Sequence, residues 1–140
     1  MIRLRRPDVL AGVGAGLIAF ADDAVYLVLI AGQNGPYDSR IFFVASFLLL
    51  MAVAGIIGAI AESARVRASL LSLVAAGCAG LGLVGILSIG APLLIAAAFA
   101  TFAATRVTPR VLAVYYAASA AVGLLVLVAG FVLTALGSTR

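Results

Sequence analysis

The sequence predicts an all-α protein, a polytopic bundle of transmembrane helices with about five spans, four being the alternative. Three observations carry this. The 140 residues are 66% hydrophobic and only 10% charged, against about a quarter charged in soluble domains. The apolar residues gather into runs of the roughly 20 residues that cross a hydrocarbon core. Nearly all charges and turn formers lie in the short breaks between those runs. A chain of this length suits a single transmembrane domain without room for a soluble one, with spans at 9–32, 41–61, 69–89, 91–105 and 111–136.

The first run, from Val9 to Gly32, follows Arg3, Arg5, Arg6 and Pro7. The polar stretch from Gln33 to Arg40 then holds Gly35-Pro36, a strong helix breaker. A second run from Ile41 to Ala61 ends at the charged linker Glu62-Ser63-Ala64-Arg65-Val66-Arg67. The stretch from Ser69 to Thr105 would be about 55 Å long as one helix, too long for a core of about 30 Å. Gly90-Ala91-Pro92 supplies a break, because proline suits the start of a helix and disrupts its interior. The piece after it is short, and a re-entrant or strongly tilted segment is the alternative to a full span. The last run, Val111 to Leu136, follows Arg106-Val107-Thr108-Pro109-Arg110.

Five spans put the N-terminal arginines, Arg65, Arg67, Arg106 and Arg110 on one side of the membrane and leave Arg40 and Arg140 on the other. The positive-inside rule then predicts a cytoplasmic N-terminus and an outer C-terminus. A four-span chain would place Arg106 and Arg110 outside. Tyr115 and Tyr116, and Tyr37, Phe42 and Phe43, fall where interfacial aromatic belts are expected. The short loops and the all-arginine basic set suggest the plasma membrane of a prokaryote. A weak internal repeat, Arg65-Val66 with Arg106-Val107 and Ala76–Leu83 with Ala117–Leu124, would make spans two-three and four-five parallel copies if real.

Several chemistries find no residues here. The chain has no histidine and one cysteine, so an internal disulfide, a Cys/His zinc site and a His-ligated haem are excluded. Cys78 sits among Ala76, Gly77, Ala79 and Gly80, with no basic neighbour to activate it. Ser46, Ser72, Ser88 and Ser119 lack a histidine or lysine base. Gly12-Val13-Gly14-Ala15-Gly16 lacks the strand and spacing of a nucleotide loop. The net charge of +4 reflects membrane orientation, so no nucleic-acid partner, no cofactor and no enzymatic activity are expected. The bilayer is the first partner, followed by other membrane subunits or a second copy of the chain.

Helix association in lipid rests on close backbone approach through small residues. Gly12 and Gly16 are four apart in the first span. Ala54 with Gly58, Gly55 with Ala59, and Ala76 with Gly80 repeat that spacing, and Ser119, Gly123, Gly130 and Gly137 lie on one stripe of the last span. These are the expected helix-contact faces, within the monomer or between protomers.

Asp22 and Asp23 stand apart, because they lie inside an apolar run, and an acid at membrane depth is by default a functional-site hypothesis. Asp22 is about 20 Å along the helix from Val9. Adjacent residues point about 100° apart, so the two carboxylates are not expected to face one narrow cavity squarely. Tyr26 is within helical reach of both, and Arg40 is the arginine best placed to snorkel inward. Three roles follow from these residues: an ion or proton site formed by Asp22, Asp23, Tyr26 and Arg40; a static pair that neutralises Arg40; or acids exposed by cleavage after Ala19-Phe20-Ala21, an A-x-A pattern preceded by arginines. The expected function is that of a structural or accessory subunit of a membrane complex or a homo-oligomer. The alternative is a small proton- or cation-coupled transporter or channel that uses the aspartates.

Overall fold

The computed structural model describes residues 7–33, 39–85, 90–107 and 109–137, the side chains at 109–112 and 137 excepted. Arg3, Arg5, Arg6, the Gly35-Pro36 turn, Tyr37, Asp38, Ser88, Thr108 and Arg140 lie outside the described residues, as do the side chains of Arg110 and Gly137. Five helices follow one another: α1 (Pro7–Ala31), α2 (Ser39–Ile60), α3 (Ala64–Val84), α4 (Gly90–Thr105) and α5 (Pro109–Gly137). Four of them are long and apolar enough to cross a membrane. The fifth, α4, has 16 residues and is about 24 Å long.

The helix ends differ from the apolar boundaries: local chemistry extends the starts of α1, α3 and α5, while α3 stops at Val84 with Gly85 as its C-cap, short of the expected end at residue 89. Proline fixes a helical φ and needs no donor in a first turn, so α1 starts at Pro7 and α5 at Pro109, each two residues before its apolar run. α3 starts at Ala64, five residues before Ser69, because Arg65, Val66 and Arg67 form its first turn, with the Arg67 amide donating to the Ser63 carbonyl at 2.9 Å. After α1, the Gly32 and Gln33 amides close onto the Val28 and Ile30 carbonyls.

The first four helices form a ring in chain order. α1 packs on α2 and α4, and α3 packs on α2 and α4, while the diagonal pair α1 and α3 barely touch. Neighbouring helices in the ring run antiparallel. α5 lies outside, parallel to α3 and antiparallel to α2, and most of its surface is uncovered. α4 and α5 therefore do not repeat the packing of α2 on α3, and the proposed hairpin copies have no counterpart in the arrangement.

Small residues set the closest approaches. Methyl groups added at Gly12 and Gly16 would meet the Ala59 Cβ and the Ala52 carbonyl at 2.8 Å, and one at Gly55 would meet the Gly16 Cα at 3.0 Å. Gly58 faces Leu70 and Leu71. The α5 stripe faces inward: Gly123 meets Leu73 of α3 and Gly130 meets Phe43 of α2, while Gly80 of α3 receives Leu124 and Leu127. Ser119 lines a shallow groove with Ser69, Leu70 and Leu73. Gly77 against Met51 and Phe47, and Gly82 against Gly90, are further close contacts that four-residue spacing did not single out. Leu48, Met51, Leu71, Val74, Cys78 and Leu93 fill the ring interior with almost no exposure.

Candidate functional site

The buried stripe of α1 runs through Val9, Gly12, Ala15, Gly16 and Ala19 to Asp22 and Asp23. Because α1 is wedged between α2 and α4, its buried face is wide enough to take both flanks of that stripe. Asp22 is 5% exposed and Asp23 7% exposed, so both acids are inside despite their offset of about 100°. Asp22 Oδ2 and Asp23 Oδ1 are shielded from solvent and have no hydrogen-bond partner. Asp22 is within electrostatic range of Asp23 and of the fully buried Cys78, and Asp23 is within range of Tyr26.

Helix register locates the pair along the bundle. Gly12 meets Ala59 and Leu71, and Gly16 meets Gly55, so Asp22 lies at the level of Leu49 in α2 and Leu81 in α3. From Asp8 the distance is about 21 Å, and α1 continues for about 13 Å beyond Asp22. α3 ends at Val84, only three residues above Leu81. The C-terminal part of α1 therefore projects past the described ends of α3 and α4, and its Val25, Leu27, Val28 and Leu29 are exposed.

The structure does not bring all four sequence-predicted site residues together. Tyr26 is half-buried against the core cluster and, among the described contacts, its hydroxyl does not bond either carboxylate. Arg40 stands exposed in the first turn of α2. The α1 residue opposite it is Ala31, about 13 Å beyond Asp22 along the axis, and no ion pair joins Arg40 to Asp22 or Asp23 among the described residues. Distance along the bundle is the reason, since α2 enters the ring from the far end.

The other end of the ring carries a contact without a local sequence signal. Arg67 Nη2 donates to Asp8 Oδ2 at 2.7 Å, with the two side chains 14% and 15% exposed. This pair bridges α1 and α3 across the ring's diagonal, between residues 59 apart in sequence. Arg67 Nε stays buried without a partner. Between that bridge and the aspartates the interior is apolar among the described residues apart from Ser72 and Cys78, and Ser72 Oγ donates to the Ala68 carbonyl at 2.6 Å. Among the described residues there is no group of three or more Cys, Asp or Glu side chains arranged to hold a metal ion.

Comparison with protein-family models, with curated proteins and with solved structures finds no match.

Proposed function

We propose that the protein is a small proton- or cation-coupled transporter or channel whose site is the Asp22/Asp23 pair. The observation that carries this is the burial of two adjacent carboxylates with an unpartnered oxygen on each. An aspartate at the centre of a membrane helix costs about 2.5–3.5 kcal/mol. A structural role would recover that cost through an arginine or hydrogen bonds, and neither is present for these oxygens. Protons or cations supply the missing positive charge. Tyr26, half-buried within electrostatic range of Asp23, is a side chain able to assist.

The shape suits one-sided access. α3 ends at Val84 and α4 begins at Gly90, so the aspartates lie close to the described far end of the ring, while the Asp8–Arg67 bridge and an apolar interior close the arginine-bearing end. In our reading that closed end is cytoplasmic, the chain spans five times, and the host membrane is a prokaryotic plasma membrane. No catalytic reaction is proposed. Residues 7–21 supply Gly12, Ala15, Gly16 and Ala19 to the ring, which favours a retained first helix over cleavage after Ala21.

A structural or accessory role is the second reading, supported by α5, whose outer surface is largely uncovered. It has lost one motive, because the small-residue stripe of α5 is occupied within the monomer. Flux in proteoliposomes separates the two. A voltage-driven proton or monovalent-cation flux that disappears in the Asp22→Asn/Asp23→Asn variant is the expected result. Equal flux from the wild type and the variant would rule out the aspartate site, and a wild type without flux would leave the structural reading.

A further inference from the structure

A second feature lies on the outside of the ring, at its arginine-bearing end. α1 and α4 diverge there to leave an open groove of about 540 Å³, lined by Pro7, Leu10, Ala11, Ala98, Phe99 and Phe102. All six side chains are apolar. Within a bilayer such a groove is filled by an acyl chain, and its composition alone gives no preference among lipids.

The preference comes from its rim. Arg106, just past the end of α4, stacks its guanidinium over the Phe102 ring, 4.8 Å from the centroid. A guanidinium over an aromatic face keeps a fork of N–H donors, and that fork suits phosphate oxygens. Among the described residues Arg106 makes no ion pair. The nearest acid in α1, Asp8, is engaged by Arg67.

We propose that the α1–α4 groove is a binding site for an anionic phospholipid of the adjacent leaflet, with one acyl chain between Leu10, Phe99 and Phe102 and the phosphate on Arg106. Apolar lining with a basic rim is the complement of that one amphiphile. Basic clefts between transmembrane helices bind anionic headgroups in this manner. The site is separate from the aspartates, and either proposal stands without the other.

The chain contains no tryptophan, so a single Phe99→Trp substitution makes a local reporter. Its fluorescence is measured in vesicles containing phosphatidylglycerol or phosphatidylcholine with brominated acyl chains. The expected result is preferential quenching by the anionic lipid by about five-fold, the factor one basic residue contributes near an anionic surface. That preference falls to unity with Arg106→Gln and survives with Arg106→Lys. Leu125→Trp, on the exposed side of α5, is the control and shows no preference. Leu10→Trp is the second reporter should Phe99→Trp not fold. Equal quenching by both lipids in the groove, the same preference at residue 125, or a preference that persists in Arg106→Gln overturns the site.

Discussion

Replacing Gly16 with alanine tests the α1–α2 crossing that sets the position of the aspartates. The added Cβ would lie 2.8 Å from the Ala52 carbonyl oxygen, 2.9 Å from Ile56 Cγ1 and 3.1 Å from the Ile56 amide nitrogen, where ordinary contact begins at 3.4 Å. The largest shortfall is about 0.6 Å by that contact limit, and two of the three obstructing atoms are backbone, which does not rotate away. The helices must therefore separate. A gap of that order forfeits a quarter to a half of each dispersion contact along the seam, and overpacking of this kind costs about 1–3 kcal/mol. We expect Gly16→Ala to destabilise the fold by about 2 kcal/mol on that scale. Gly14 is the control, because its nearest neighbour would be Phe99 Cδ2 at 3.9 Å. Gly14→Ala is expected to be neutral, or stabilising by up to about 1 kcal/mol through helix propensity. Reversible unfolding in mixed dodecyl maltoside and SDS micelles, followed by far-UV circular dichroism, reads both. Equal stability of the two variants would refute the packing argument.

The same titration tests two further predictions. Asp8→Ala and Arg67→Ala should each destabilise, and the double variant should lose less than the sum, with a coupling of about 1–2 kcal/mol, below the value for a fully buried pair because both side chains keep some exposure; additive losses would mean that the bridge holds nothing. Asp22→Asn and Asp23→Asn should each raise stability at neutral pH by about 1–2 kcal/mol, the difference between burying a carboxylate and burying an amide. A loss of stability in both would show that the acids make favourable structural contacts and would count against a functional site.

Composition determined the all-helical class, the approximate helix ranges and the need for a break between Ser69 and Thr105, because long apolar runs in lipid have to satisfy their backbone groups internally as helices; the break itself begins at Gly85, and Gly90-Ala91-Pro92 opens α4. They also singled out Asp22 and Asp23, since charge within an apolar run is visible one residue at a time. What the sequence left open was partnership across helices. Arg40 looked like the natural counter-ion because it is near in sequence, yet antiparallel packing sets it about 13 Å away along the bundle. Asp8 and Arg67, both outside the apolar runs, bridge two helices across the diagonal. The 100° offset of Asp22 and Asp23 suggested divided environments, and only the wedge of α1 between α2 and α4 made both interior. Glycine spacing identified surfaces able to approach closely but not their occupants, since any small-residue stripe can accept any neighbouring helix. The pairing of α5 with α3 and α2 was decided by the tertiary structure, through the fit of Leu73, Leu124, Leu127 and Phe43 against those glycines.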